Sequence, residues 1–326
     1  GYQVGMFGKW HLGYDPKFNP MHHGFHEFRG FVSGNIDYIS HYDRMEVYDW
    51  WHGLKKVQEK GYLTHLVSKH AVDFIGRNKD RPFCLYVPHG AVHSPIQGPD
   101  NKPGRGPNKV KKAEQPQRPQ DATTRLMMKA LDENVGAILD ALDHYQLAEQ
   151  TLVVFFSDNG GAAHMRCDPL RGRKGTVWEG GHRVPAIAWW PGKIKPGSRT
   201  DQLSISLDLM PTMLQLAGVP ASQDRPLDGV NLLPLLLEGK SLGQRQLFWN
   251  GVAMRDGPWK LVTQAKGLEG GPALFNLDND IAETRNVAAD HPERLKQMLE
   301  ALEAWSKDVA RGQTPQPDYT RVQDKR

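Results

Sequence analysis

The chain most tightly constrains its own fold at Thr151–Phe156, where Thr-Leu-Val-Val-Phe-Phe runs directly into Ser157-Asp158-Asn159-Gly160-Gly161. Six apolar or β-branched residues in a row read as a strand buried on both faces, not as the exposed edge of a hairpin. The stretch then stops on a carboxylate, a carboxamide and two glycines. In an open α/β sheet, side chains past the carboxyl ends of strands are the ones free to do chemistry. Asp158 and Asn159 offer hard oxygen donors, suited to Ca²⁺ or Mg²⁺ and not to zinc or copper. A plain turn is the competing reading, since both residues favour turns.

Other elements alternate around this strand. Tyr2–Phe7 reads as a strand, followed by a long Gly-, His- and Tyr-rich loop through Trp51. Leu63, Leu66, Val67, His70 and Phe74 mark a helix over Tyr62–Arg77, and Pro82–Val87 is strand-like. A longer amphipathic helix, Ala122–Tyr145, carries its apolar stripe on Leu126, Ala130, Val135, Ile138 and Leu142. Val184–Trp190 is a further strand and Asp208–Ala217 a short helix. This order predicts an α/β protein with a mainly parallel or mixed sheet sandwiched by helices. Beyond Pro234 four short strand-like runs, Leu247–Asn250, Ala253–Arg255, Trp259–Thr263 and Ala273–Asn276, suggest an antiparallel meander, closed by a charged helix over His291–Lys307. The expected division is 1–238 for an α/β catalytic domain, 239–311 for a small α+β subdomain and 312–326 for a polar tail.

Three loops share the chemistry of the Asp158–Asn159 turn. They are Gly8-Lys9-Trp10-His11-Leu12-Gly13, the segment from Val87 to Pro95 with His89 and His93, and the segment from Pro169 to Pro185 with Lys174. Cations in Gly- and Pro-rich loops, beside an oxygen-donor pair, suit an anionic tetrahedral group. Taken singly, Lys9 could be a solvated surface cation and His11 a core histidine. His89 and His93 compete for a proton-donor role. Arg171 and Arg173 read as solvated charges, and Trp10 and Trp178 as packing residues. The stretch from Lys102 to Arg118 is either a solvated loop or a basic rim that attracts polyanions.

Forty-one basic and 37 acidic residues leave a net charge of +4, too little to argue for nucleic-acid binding. No apolar run approaches a membrane span. Cys84 and Cys167 supply no disulfide framework.

With these motifs laid out, the chain resembles the sulfatase family of the alkaline-phosphatase superfamily over residues 1 to about 290. Gly-Lys-Trp-His-Leu-Gly at 8–13, Ala-Val-His-Ser-Pro at 91–95, Ser157–Gly160 and Pro169–Pro185 are similar to its signatures, in order. Met254–Lys260 and Leu274–Asp278, with Glu283 and Asn286, resemble its C-terminal subdomain. The resemblance implies an alkaline-phosphatase-like fold and hydrolysis of a sulfate monoester on an aryl or carbohydrate substrate. It further implies a formylglycine nucleophile and Ca²⁺, with Mg²⁺ the weaker alternative. Asp158 and Asn159 would bind the metal. Lys9 and Lys174 would contact the sulfate, Lys9 and His11 the nucleophile, and His93 would protonate the leaving oxygen. A sulfated small molecule or glycan is the implied partner, with no nucleic acid and no membrane, and the implied location is periplasmic or secreted.

The family's nucleophile precedes the first of these motifs, so it is expected outside this sequence, and the chain alone is expected to be inactive. Cys167-Asp168-Pro169-Leu170-Arg171 imitates the modification motif, but it belongs to the lysine loop. A phosphodiesterase or phosphonate hydrolase of the same superfamily, and a sulfoglycan-binding pseudoenzyme, are the alternatives.

Overall fold

The computed structural model describes residues 1–162, 165–222, 224 and 226–311, grouped into two compact units, Gly1–Thr151 and Leu152–Arg326. The polar tail expected from Gly312 lies outside the described residues.

The first unit holds β1 (Gln3–Lys9), β2 (Glu27–Phe31), β3 (Trp51–His52), β4 (Lys55–Lys56), α1 (Leu63–Arg77), β5 (Phe83–Tyr86) and α2 (Gln120–His144). Its five-stranded sheet has the order β4-β3-β2-β1-β5. β1 runs parallel to both β2 and β5, while β3 and β4 add antiparallel pairs at one edge. The sheet is thus mixed with a parallel centre. Met6 and Phe7, neighbours in β1, are both fully buried on opposite faces, as the two-residue side-chain period of a covered strand requires. Phe7 joins Trp50, Leu63, Val67, Phe74 and Met127 in the main core. Each such side chain contributes about 1.5–3 kcal/mol by leaving water.

β2 lies inside the stretch read from sequence as loop. Its Glu-Phe-Arg-Gly-Phe pattern looks polar, yet Phe28 and Phe31 are buried and Arg29 is paired with Glu59 at 3.4 Å. Gly30 admits the sheet: a Cβ there would stand 1.9 Å from the Gly8 carbonyl oxygen. In α2 the buried stripe is shifted from the expected one to Met127, Ala130, Leu131, Ala141 and Leu142; Leu126, Val135 and Ile138 are only half-buried.

The second unit contains β6 (Val153–Phe156), α3 (Glu179–His182), β7 (Ala186–Trp189), α4 (Leu209–Leu216) and α5 (Leu233–Glu238). It continues with β8 (Gln246–Trp249), β9 (Ala253–Asp256), β10 (Trp259–Val262), β11 (Ala273–Asn276) and α6 (Pro292–Ala310). β6 and β7 form an antiparallel pair. The expectation of a fully buried β6 fails here, since Phe155 is 40% exposed. The meander is as expected: β11-β10-β9-β8 is antiparallel throughout. Met254, Leu261 and Leu274 on one face pack against Met298 and Leu302 of α6, while Ala253, Val262 and Phe275 on the other pack against Trp178. Asp208, fully buried, accepts two 2.8 Å hydrogen bonds from the Arg245 guanidinium, joining the start of α4 to the start of β8.

Candidate active site

In the first unit, Lys9 ends β1, and its N–H donates to the Pro88 carbonyl at 2.8 Å. Gly8 makes this approach possible. Its φ is +131°, and a Cβ would sit 2.1 Å from the Pro88 oxygen. The strand end carrying Lys9 and the loop carrying His89 and His93 are therefore clamped backbone to backbone. Trp10 packs as expected, edge-on to Phe25, with its indole N–H donating to Phe18 O at 2.6 Å. His11 has a left-handed backbone (φ 57°), which a residue with a Cβ holds only under constraint. Its ring lies over Gly34, where a Cβ would come 2.6 Å from Nε2.

His93 sits on a stitched loop. The buried Tyr38 hydroxyl donates toward Gly90 O at 2.6 Å and His93 O at 3.0 Å. His93 Nδ1 stands 2.9 Å from Ser94 O; a carbonyl only accepts, so Nδ1 carries a proton. Phe31, Gly34, Asn35, Tyr38, His93 and Ser94 line one small cleft. His89 differs. Both its ring nitrogens are buried with no hydrogen-bond partner among the described residues, and burial pushes its pKa down to about 4. A neutral imidazole that resists protonation is a poor proton donor near neutrality.

In the second unit, β6 delivers Ser157, whose hydroxyl donates to Asn159 O at 2.9 Å, and Asn159 Nδ2 donates to Gly160 O at 3.0 Å. No described hydrogen bond or ion pair occupies the Asp158 carboxylate or Asn159 Oδ1, so both stay available as hard oxygen donors. They fit part of a Ca²⁺ shell, which takes six to eight such ligands. Gly160 N–H donates to Gly181 O at 2.9 Å, and a Cβ on Gly160 would meet Gly180 O at 1.9 Å. Lys174 N–H donates to Gly161 O at 2.9 Å. The donor turn and the lysine loop thus share Gly160–Gly161.

Arg171, read from sequence as a solvated charge, anchors that loop instead. Its guanidinium stacks 3.7 Å from the Trp178 ring centroid and donates to Glu283 O and Gly267 O, each at 2.9 Å. Five residues past Lys174, the buried Glu179 accepts from Lys260 Nζ at 2.8 Å and Arg255 Nη1 at 3.1 Å, with His182 Nε2 at 3.2 Å. Burial alone would raise its pKa. The His182 hydrogen bond and the Lys260 and Arg255 charges outweigh burial and hold the carboxylate well below its usual range. Burial pushes Glu283 up, against the pull of Lys260. Sequence reasoning assigned no role to this network; its one signal is a charged residue inside the Trp-Glu-Gly-Gly run.

A mixed sheet with helices and a C-terminal antiparallel meander is the fold of an alkaline-phosphatase-like α/β protein. The chain belongs to the sulfatase family: the sulfatase family model matches residues 1–219, and the model of the N-sulphoglucosamine sulphohydrolase C-terminal region matches 173–308. Human N-acetylgalactosamine-6-sulfatase is 34% identical over 269 residues, 77% of this chain and 49% of that protein. Human arylsulfatase A is 31% identical, covering 97% of this chain and 73% of that protein. Among solved structures, Ps i-CgsB in complex with k-i-k-neocarrahexaose superposes with a TM-score of 0.79 at 30% identity, over 94% of this chain and 71% of that one. The chain spans about half the length of the N-acetylgalactosamine-6-sulfatases it matches.

Proposed function

We propose that this chain contributes to the hydrolysis of a sulfate monoester, with Lys9, His11, His93, Asp158, Asn159 and Lys174 as its site residues. The 2.9 Å bond from Lys174 to Gly161 carries the reading, because it sets a lysine backbone against the turn holding two unoccupied oxygen donors.

Asp158 and Asn159 would hold part of a Ca²⁺ shell, and the ion would supply positive charge where negative charge grows on the sulfuryl group. The nucleophile is a formylglycine, made from a Cys or Ser of the family's modification stretch and not from Cys167. Lys9 and Lys174 balance charge growing on the non-bridging oxygens, as fixed cations lower the barrier most where charge develops. Lys9 and His11 orient the nucleophile. His93 Nε2 gives its proton to the departing ester oxygen, and the Ser94 carbonyl stabilises the imidazolium through Nδ1. His89, kept neutral by burial, is unsuited to that task.

Two oxygen donors do not complete a Ca²⁺ shell. On this reading residues 1–326 alone turn over an aryl sulfate little or not at all. A sulfated glycan is the favoured substrate, supported by a relative named N-acetylgalactosamine-6-sulfatase and a structural neighbour solved in complex with k-i-k-neocarrahexaose. A periplasmic or secreted location belongs to the same proposal and rests on the family. The test is sulfate release from 4-nitrocatechol sulfate by the full-length protein, with 4-nitrophenyl phosphate as competitor. The expected result is release abolished by EGTA and restored by Ca²⁺. Faster phosphate release, or no sulfate release with Ca²⁺ present, would overturn it.

A further inference from the structure

The basic stretch after Gly98 is not a loosely solvated loop. Three backbone groups around Arg105 are held by the segment that lines the His93 cleft and its continuation. Gly104 N–H donates to Asp37 Oδ2 at 2.8 Å, Gly106 N–H to Glu46 Oε2 at 2.6 Å, and Ser40 Oγ donates to Arg105 O at 2.9 Å. Gln97, buried, bonds the same Asp37 oxygen at 2.8 Å. Fixed this way, Arg105 donates from Nη1 to Asn35 Oδ1 at 2.8 Å. Asn35 and His93 line one cleft. A guanidinium is therefore built one residue away from the expected leaving-group acid.

Arg105 has no carboxylate in ion-pair reach among the described residues. It is half-buried, and its side chain donates to a neutral carboxamide. Glu46 pairs with Lys109 at 2.9 Å. Its carboxyl is held below the usual range by the Gly106 N–H first, then by Lys109 and Arg105. Lys102, Lys111 and Lys112, on the same stretch, are exposed and have no carboxylate in ion-pair reach among the described residues. A planar guanidinium with spare donors, positioned by its own backbone, suits an oxyanion better than solvent does.

We propose that Arg105 is a specificity residue that binds a second sulfate of a polysulfated oligosaccharide whose first sulfate is the one cleaved. This deepens the sulfatase reading and rests on it for the placing of the first sulfate. Lys102, Lys111 and Lys112 extend the rim along the glycan. A substrate with a single sulfate and no second anion gains nothing from Arg105.

The test measures, by calorimetry at fixed salt, the affinities of the full-length protein for a synthetic disulfated disaccharide and for its monosulfated counterpart. The readout is the ratio of the two affinities, in wild type, R105Q and R125Q; Arg125 removes the same charge from an exposed pair on α2. The wild type is expected to prefer the disulfated sugar by about tenfold, the usual scale of one charge-assisted pair. R105Q should erase that preference and R125Q should keep it. An unaltered ratio in R105Q, an equal fall in R125Q, or no preference in the wild type each overturns the proposal. Turnover of 4-nitrocatechol sulfate by the wild type reads the sulfatase assignment separately, so loss of one leaves the other decidable.

Discussion

Lys260 and Glu179 meet at 2.8 Å with 0% and 1% of their side chains exposed, tying β10 of the C-terminal meander to the loop that carries Lys174. Arg255, His182 and Glu283 complete the cluster, and Glu179 N–H donates to Glu283 Oε2 at 2.7 Å. Removing one partner of a buried pair leaves the other charge uncompensated, which costs about 3–5 kcal/mol. Lys260→Met should lower the urea-unfolding free energy by that order. The double variant Lys260→Met/Glu179→Gln should lose less than the two single losses combined. A loss below about 1 kcal/mol for Lys260→Met would contradict a structural role for the pair.

Gly160→Ala places a methyl carbon 1.9 Å from the Gly180 carbonyl oxygen, a backbone atom that cannot swing aside. The Asp158–Asn159 turn must shift, so Ca²⁺ affinity should fall by at least about tenfold, the usual cost of disturbing a ligand's support. Gly136→Ala is the counterpart. It sits in α2 with nothing within 4 Å of its Cβ, and should raise stability by about 0.5–1 kcal/mol. Calorimetric Ca²⁺ titration and thermal unfolding of both variants check this. Unchanged metal binding in Gly160→Ala contradicts it.

His89 makes stability depend on pH. Its folded pKa, depressed by burial to about 4, lies below the ordinary value of 6.5, so the unfolded chain binds this proton first. The associated stability is full above pH 6.5 and is lost as pH falls toward about 4. The loss should approach about 3 kcal/mol, at about 1.4 kcal/mol per pKa unit. Urea midpoints from pH 7 to pH 4 should fall more steeply in the wild type than in His89→Phe. Parallel slopes would show that His89 does not carry the dependence.

The His93 assignment predicts a leaving-group effect. His93→Ala should slow esters of poorly acidic alcohols by about 10²–10⁴-fold. Aryl sulfates that depart without a proton should be far less affected. A steady-state series over leaving groups of graded pKa separates the outcomes, and equal losses across the series would remove His93 from the acid role.

Much of this was legible from sequence because the loops are punctuated by residues only special backbones need. The four-strand meander and the helices around Leu63–Arg77 and Gln120–His144 lie where local pattern predicted them. β2 was hidden because Glu27 and Arg29 look solvated until Glu59 and β1 cover them. The Arg171–Trp178 stack and the Glu179–Lys260 pair bring together residues far apart in the chain, a relation no local period encodes. Arg105 read as one charge among many, and the tethers from Asp37, Ser40 and Glu46 are what single it out.

The most direct test of the account is a double-mutant cycle on Lys9 and Lys174, read as kcat/KM for 4-nitrocatechol sulfate in the full-length protein with Ca²⁺. If both lysines serve one sulfuryl group, each alanine variant should lose at least about 10²-fold, and the double variant markedly less than the product of the two losses. A Lys174→Ala enzyme within about twofold of wild type, below the scale of one lost charge contact, would contradict the shared site.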